Sequence, residues 1–184
     1  MKAIMISIKP KWVAKILNGE KTVEIRKTMP KCDLPIDVYI YCTKDRFSGC
    51  LYDEMTKKYE PYMGTHMLNG KVVAKFTLNK VEEWDIWQED LEEKIKLACL
   101  STKEFDDYSK GQVAYAWHIS NLVIFDEPKE LSEFKKPNTP SYEQTKPFAE
   151  MFGEPYTQEE YKKQCERFGF VLTKAPQSWC YVEV

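Results

Sequence analysis

Across the single glycine at position 19 the hydrophobic period of the chain changes from that of a helix to that of a strand, and this switch constrains the fold more than any other stretch. Trp12, Val13, Ile16 and Leu17 recur at helical spacing within residues 11–18, with Pro10 suited to the first turn and Gly19 to the C-terminal cap. From Lys21 onward the period is two: Val23 and Ile25 share one face, while Thr22, Glu24 and Arg26 share the other. A short amphipathic helix therefore delivers the chain into a strand whose polar face is already sorted.

That face gathers groups that bind anions or catalyse. Following a helix-ending glycine, Lys21 is expected to reach past the rim of the domain, and Arg26 presents a planar fork suited to bidentate capture of phosphate or carboxylate. For hydrolysis, Glu24 can take a proton from water while Lys21 and Arg26, acting as charges, stabilise the oxyanion that develops. The same residues also permit a structural arrangement in which Glu24 pairs with Arg26 or Lys21 and pins a strand edge.

Helix, glycine and a following Lys-x-x-Glu-x-Arg strand resemble the signature of the ASCH domain family, whose fold is PUA-like, with Gly19, Lys21, Glu24 and Arg26 at the matching positions. Ser7-Ile8-Lys9-Pro10 before the helix and the later strands follow in a compatible order, so the resemblance covers roughly residues 2–126 and the C-terminal strand and leaves 127–174 outside. Some small bacterial members are amidohydrolases that deacylate acetylated cytidine, using the motif lysine, a threonine three residues later and a distal glutamate; others resemble ribonucleases or RNA-binding regulators. Here position 24 is Glu, Thr22 is a hydroxyl at a non-matching position, and Glu82, Glu83, Glu89, Glu92 and Glu93 offer no clear choice of distal glutamate.

At 184 residues the chain can bury one sizeable core, which favours a single domain over 1–184 carrying a loop insertion at about 44–69 and a helical insertion at about 128–174 before the last strand. No apolar run approaches bilayer length, and residues 3–8 are too short and too soon interrupted by Lys9 and Lys11 for a secretory core, so a cytoplasmic protein is expected, with no membrane partner. Six cysteines lack any Cys-x-x-Cys spacing and read as free thiols. The net charge of −2 conceals a segment, residues 1–31, with eight Lys or Arg against two Glu, so the rest is acidic. A basic edge around the motif attracts an anion, whereas the acidic remainder argues against broad coating of nucleic acid.

Strand periodicity recurs in residues 3–9, 36–43, 71–81, 114–119, 122–125 and 177–182, and two stretches after Pro128, residues 142–152 and 157–168, read as helices. The acidic stretch 82–107 reads as one or two solvated helices, and 44–69, with Tyr52, Tyr59, Tyr62 and His66 and no clear period, as a long loop or lid. About six strands with interspersed helices are best satisfied by an α+β fold, a small mixed β-barrel with peripheral helices and a C-terminal helical appendage, and the family resemblance implies the same, a PUA-like mixed β-barrel.

The expected function is binding of RNA or a modified nucleoside in a cleft floored by Lys21, Glu24 and Arg26, with Lys9 and Thr22 nearby and Tyr41 and Trp117 offering faces on which a base can stack. One alternative is a hydrolase acting on an acylated nucleoside or on RNA in the same cleft, with Lys21 and Glu24 catalytic; another is a protein-interaction module working through 128–174. His66 and His118 are the only histidines, no paired ligand spacing exists and Gly111 and Gly153 stand alone, so neither a metal nor a nucleotide cofactor is expected.

Overall fold

The computed structural model describes residues 1–46, 48–62, 68–151 and 156–184. Strand β1 (Lys2–Ile8) is a near-continuous apolar run with every residue from Ala3 to Ile8 buried, as a strand covered on both faces requires. It lies between β3 (Ile36–Cys42), which it pairs in parallel, and β8 (Trp179–Glu183), which it pairs antiparallel. With β2 (Val23–Arg26), β6 (Val72–Trp84) and β7 (Ala114–Lys129) the full order is β2-β7-β6-β3-β1-β8. Helix α1 (Pro10–Leu17) joins β1 to β2; α2 (Leu91–Leu97) and α3 (Thr102–Ser109) join β6 to β7; and α4 (Tyr142–Glu150) and α5 (Gln158–Arg167) precede β8.

The α+β content is as expected, but the closed barrel is not. β2 and β8 are the two edges of the sheet, and among the described residues no backbone hydrogen bond joins them. Side chains bridge the seam instead: Arg26 donates to the Ser7 carbonyl at 2.8 Å and to Ser178 Oγ at 3.3 Å, and Trp179 Nε1 donates to Thr28 Oγ1 at 3.0 Å.

Each face of the sheet is buried against something different. Ile4, Ile6, Val38, Ile40, Phe76 and Leu78 pack with Val13, Ile16 and Leu17 of α1. On the reverse side Ala3, Met5, Tyr39 and Tyr41 pack with Phe134, Leu172 and Val182. Val23 and Ile25, the apolar face of β2, meet Leu91, Ile95 and Phe105 from α2 and α3. The alternation in β2 is therefore present, but its polar face points inward and not to solvent: Glu24 and Arg26 are each 7% exposed.

Three local expectations change. The segment read as a long loop contains a hairpin, β4 (Gly49–Asp53) and β5 (Lys58–Tyr62), held to α1 by the Asn18 amide, which donates to the Tyr59 carbonyl and accepts from its N–H, both at 2.8 Å. Pro61 inside the run and two short strands hid the period. β6 continues to Trp84, into the stretch read as helix, and the two strand segments after Ala114 are one 16-residue strand interrupted in pattern at Asn121, whose φ is +49°. His66, Phe152 and Gly153 lie outside the described residues. All six cysteines are free thiols; burial pushes Cys50 up to about 12 and raises Cys42 as well. None of the described helices is long and apolar enough to cross a membrane.

The helix-to-strand switch is built around Gly19. Asn18 closes α1 in a right-handed conformation, Gly19 takes φ +73° with its N–H on the Ile16 carbonyl, and Glu20 N–H returns to the Lys15 carbonyl. An added Cβ at Gly19 would meet no atom within 4 Å, so an alanine there suffers backbone strain alone. Gly19→Ala is expected to lose about 1 kcal/mol in urea unfolding with an unchanged circular dichroism spectrum.

Candidate functional site

Because β2 starts immediately after this turn, Lys21 is delivered to the C-terminal end of α2, not past the rim of the domain. Its Nζ donates to the Ala98 carbonyl at 2.8 Å, and the Thr22 N–H reaches the Leu97 carbonyl at 2.9 Å. Ala98 caps α2, so the lysine satisfies a carbonyl that the helix leaves open and places a cation at its negative end. Lys21 is 3% exposed.

Glu24 then lies between two cations. Its Oε2 is 3.2 Å from Lys21 Nζ and its Oε1 is 3.0 Å from Arg26 Nη2. Arg26 continues the chain of contacts into the seam through Ser7 and Ser178, and its Nε is buried without a partner among the described residues. The structural pairing left open by the sequence is thus present, as a continuous cation–carboxylate–cation row.

Above this row opens a cavity of about 390 Å³. Lys21, Glu24 and Arg26 line it, with Trp12 from α1, Leu100, and Tyr108 from α3 on its walls; exposed Lys9 and Gln177 also line it, as do Thr43 and Glu104. Lys21 Nζ lies 5.3 Å from the centre of the Trp12 ring. Burial raises the Tyr108 phenol above its ordinary range, opposed by the Arg26 guanidinium and reinforced by the Glu24 carboxylate, so the hydroxyl is neutral at ordinary pH. Glu104 is held below the usual carboxylate range, chiefly by the Ser101 N–H in the capping box of α3, and stands 3.7 Å from Lys11.

Of the residues singled out in the sequence, Lys9, Lys21, Glu24 and Arg26 meet in this cavity. Thr22 is exposed and does not line it. Tyr41 is 6% exposed in the core on the reverse side of the sheet. Trp117 stands opposite Glu24 in the β2–β7 register but is wholly buried against Trp179, ring centres 5.6 Å apart. The stacking faces that do reach the cavity, Trp12 and Tyr108, were missed: Trp12 reads as one more apolar position of a helix, and Tyr108 directly follows the acidic stretch 82–107, with no strand period around it. None of Glu82, Glu83, Glu89, Glu92 and Glu93 lines the cavity; the second glutamate there is Glu104. Among the described residues no group of three or more His, Cys, Asp or Glu side chains is placed to hold a metal ion.

The family model described as ASCH domain matches residues 6–175, running through the 128–174 segment that the motif resemblance left outside. Among solved structures, the chain is similar to an ASCH protein from Zymomonas mobilis at 20% identity and a TM-score of 0.50, covering 98% of this chain and 87% of that one. A mutant form of ASCH from the same organism gives 18% identity and a TM-score of 0.50, covering 94% and 100%. Likeness of this degree bears on the fold alone. No curated protein matches the chain.

Removing the central carboxylate leaves two buried cations facing each other. Glu24→Ala is therefore expected to cost about 3–5 kcal/mol in chemical denaturation. Glu82 has a different part: its carboxyl is held down to about 2, first by Lys80 and then by His118 at 3.0 Å. Against an ordinary value of 4.5, this contributes stability that is complete above 4.5 and is lost as the pH falls toward 2. The difference in urea midpoint between the wild type and Glu82→Gln is expected to be present at neutral pH and to shrink across that window.

Proposed function

This chain belongs to the ASCH domain family, and from that membership and the geometry of its cavity we propose that it binds RNA or a modified nucleoside, taking one base into the space above Lys21, Glu24 and Arg26. The observation that carries the reading is an aromatic-walled cavity of about 390 Å³ over a buried row of charges. That volume suits a small ligand or a single base and not an extended duplex. Trp12 and Tyr108 offer π-faces for stacking, and Lys9 with the basic segment 1–31 draws the phosphate or ribose end of the ligand to the opening.

A second reading, hydrolysis of an acylated nucleoside or of RNA in the same cavity, is favoured by the placement of Glu24 on the cavity surface between two cations. In it Glu24 takes a proton from the attacking water, and Lys21 and Arg26 stabilise negative charge on the attacked group.

Titration of the purified protein with nucleosides and short single-stranded RNAs, followed by tryptophan fluorescence and calorimetry, tests the proposal. Trp12→Ala and Tyr108→Ala are each expected to weaken binding by roughly fivefold to a hundredfold, the span of a lost base–aromatic stack. No binding of any member of the panel would overturn it. Chromatography of the same mixtures separates the readings: unchanged ligand supports binding alone, whereas product formation lost in Glu24→Gln, in a variant shown to remain folded, supports hydrolysis.

A further inference from the structure

The charged groups on the floor of the cavity are largely turned to one another, although the buried Arg26 Nε has no partner among the described residues. Both oxygens of Glu24 are engaged, Lys21 already contacts Glu24 and the Ala98 carbonyl, and the terminal nitrogens of Arg26 face Glu24, Ser7 and Ser178. Lys9, Thr43 and Gln177 line the same cavity, and among the described residues their side chains make no hydrogen bond or ion pair with the protein. Of these three, Gln177 alone presents a donor and an acceptor side by side in one plane.

An exposed glutamine is ordinarily just hydrated. Here its backbone is fastened on both sides. The Pro176 carbonyl accepts from Ser7 Oγ at 2.7 Å, the Ser178 carbonyl accepts from the Ser7 N–H at 2.9 Å, and Ser178 Oγ receives Arg26. A free amide is thus mounted on a fixed segment at the edge of a cavity, which lowers the ordering cost of using it. Position 177 also lies past residue 175, where the family match ends, so membership of the family assigns it no role.

Resting on the nucleoside-binding reading above, we infer that Gln177 is the specificity-determining residue of this site and that it recognises a uracil-type edge, an N–H flanked by carbonyl oxygens. The amide oxygen accepts the ring N–H while the amide N–H₂ donates to an adjacent carbonyl. Lys9, which can only donate, complements the second carbonyl oxygen and disfavours an edge that presents an amino group in its place.

The test is calorimetric titration of the intact protein and its Gln177→Ala variant with uridine and with N3-methyluridine, whose ring N–H is blocked. The wild type is expected to prefer uridine by about tenfold or more, the discrimination of a bidentate contact. Gln177→Ala is expected to bind the two alike, with an unchanged melting temperature. Gln177→Glu, which keeps the acceptor and loses the donor, is expected to retain the preference at reduced affinity. If nucleosides or RNA bind but Gln177→Ala discriminates as well as the wild type, or the wild type does not discriminate, the role of Gln177 is overturned while the proposed function stands. If none binds, both fall.

Discussion

A carboxylate enclosed between two cations organises this protein. Through Lys21, Glu24 is tied to the end of α2; through Arg26, it is tied to β1 and to the segment leading into β8. Enclosing such charges is costly in desolvation, and a well-packed apolar replacement often serves stability as well or better. What the charged row supplies that leucines would not is a direction for each contact. One lysine N–H satisfies a helix-capping carbonyl, and a planar fork reaches across the gap between the two edges of the sheet. Those contacts hold β2 where Lys21, Glu24 and Arg26 line the cavity.

The sequence displayed the parts of this arrangement that are local. The period change at Gly19, the sorting of β2 into two faces and the grouping of Lys21, Glu24 and Arg26 are visible because each depends on residues within a few positions of one another. What the sequence did not display is which face of β2 would be covered by what. Val23 and Ile25 pack against α2 and α3, and Glu24 and Arg26 are enclosed as well, so both faces of β2 are buried. The cover on the apolar face comes from partners some 70 to 80 residues away, Leu91, Ile95 and Phe105, that no local pattern connects to β2.

The same distinction separates the site residues that were legible from those that were not. Lys9 belongs to the run adjoining α1 and came with the motif. Trp12 looked like an ordinary apolar helix position, and its ring is in fact shared between helix packing and the cavity wall. Tyr108, Glu104 and Gln177 arrive from other elements and carry no signal of their own. Trp117 and Tyr41 show the converse: alternation put them on strands, but in strands buried on both faces an aromatic ring is more often core than surface. Of the barrel expectation the α+β content and a six-stranded sheet are present without a closed barrel, since strand count supplies enough edges to close but does not fix whether they pair.

Ser7, Arg26 and Ser178 meet although 152 positions separate the last two. During synthesis, a nascent chain completed only through β7 possesses Lys21 and Glu24 together with the α2 end that receives the lysine, yet it has nothing at position 178 to hold the far side of the arginine. The cavity then lacks one of its walls. Completion of the pocket therefore waits on residues 177 and 178, and closing so long a loop makes this contact more dependent on the rest of the fold than the Lys21 and Glu24 contacts are.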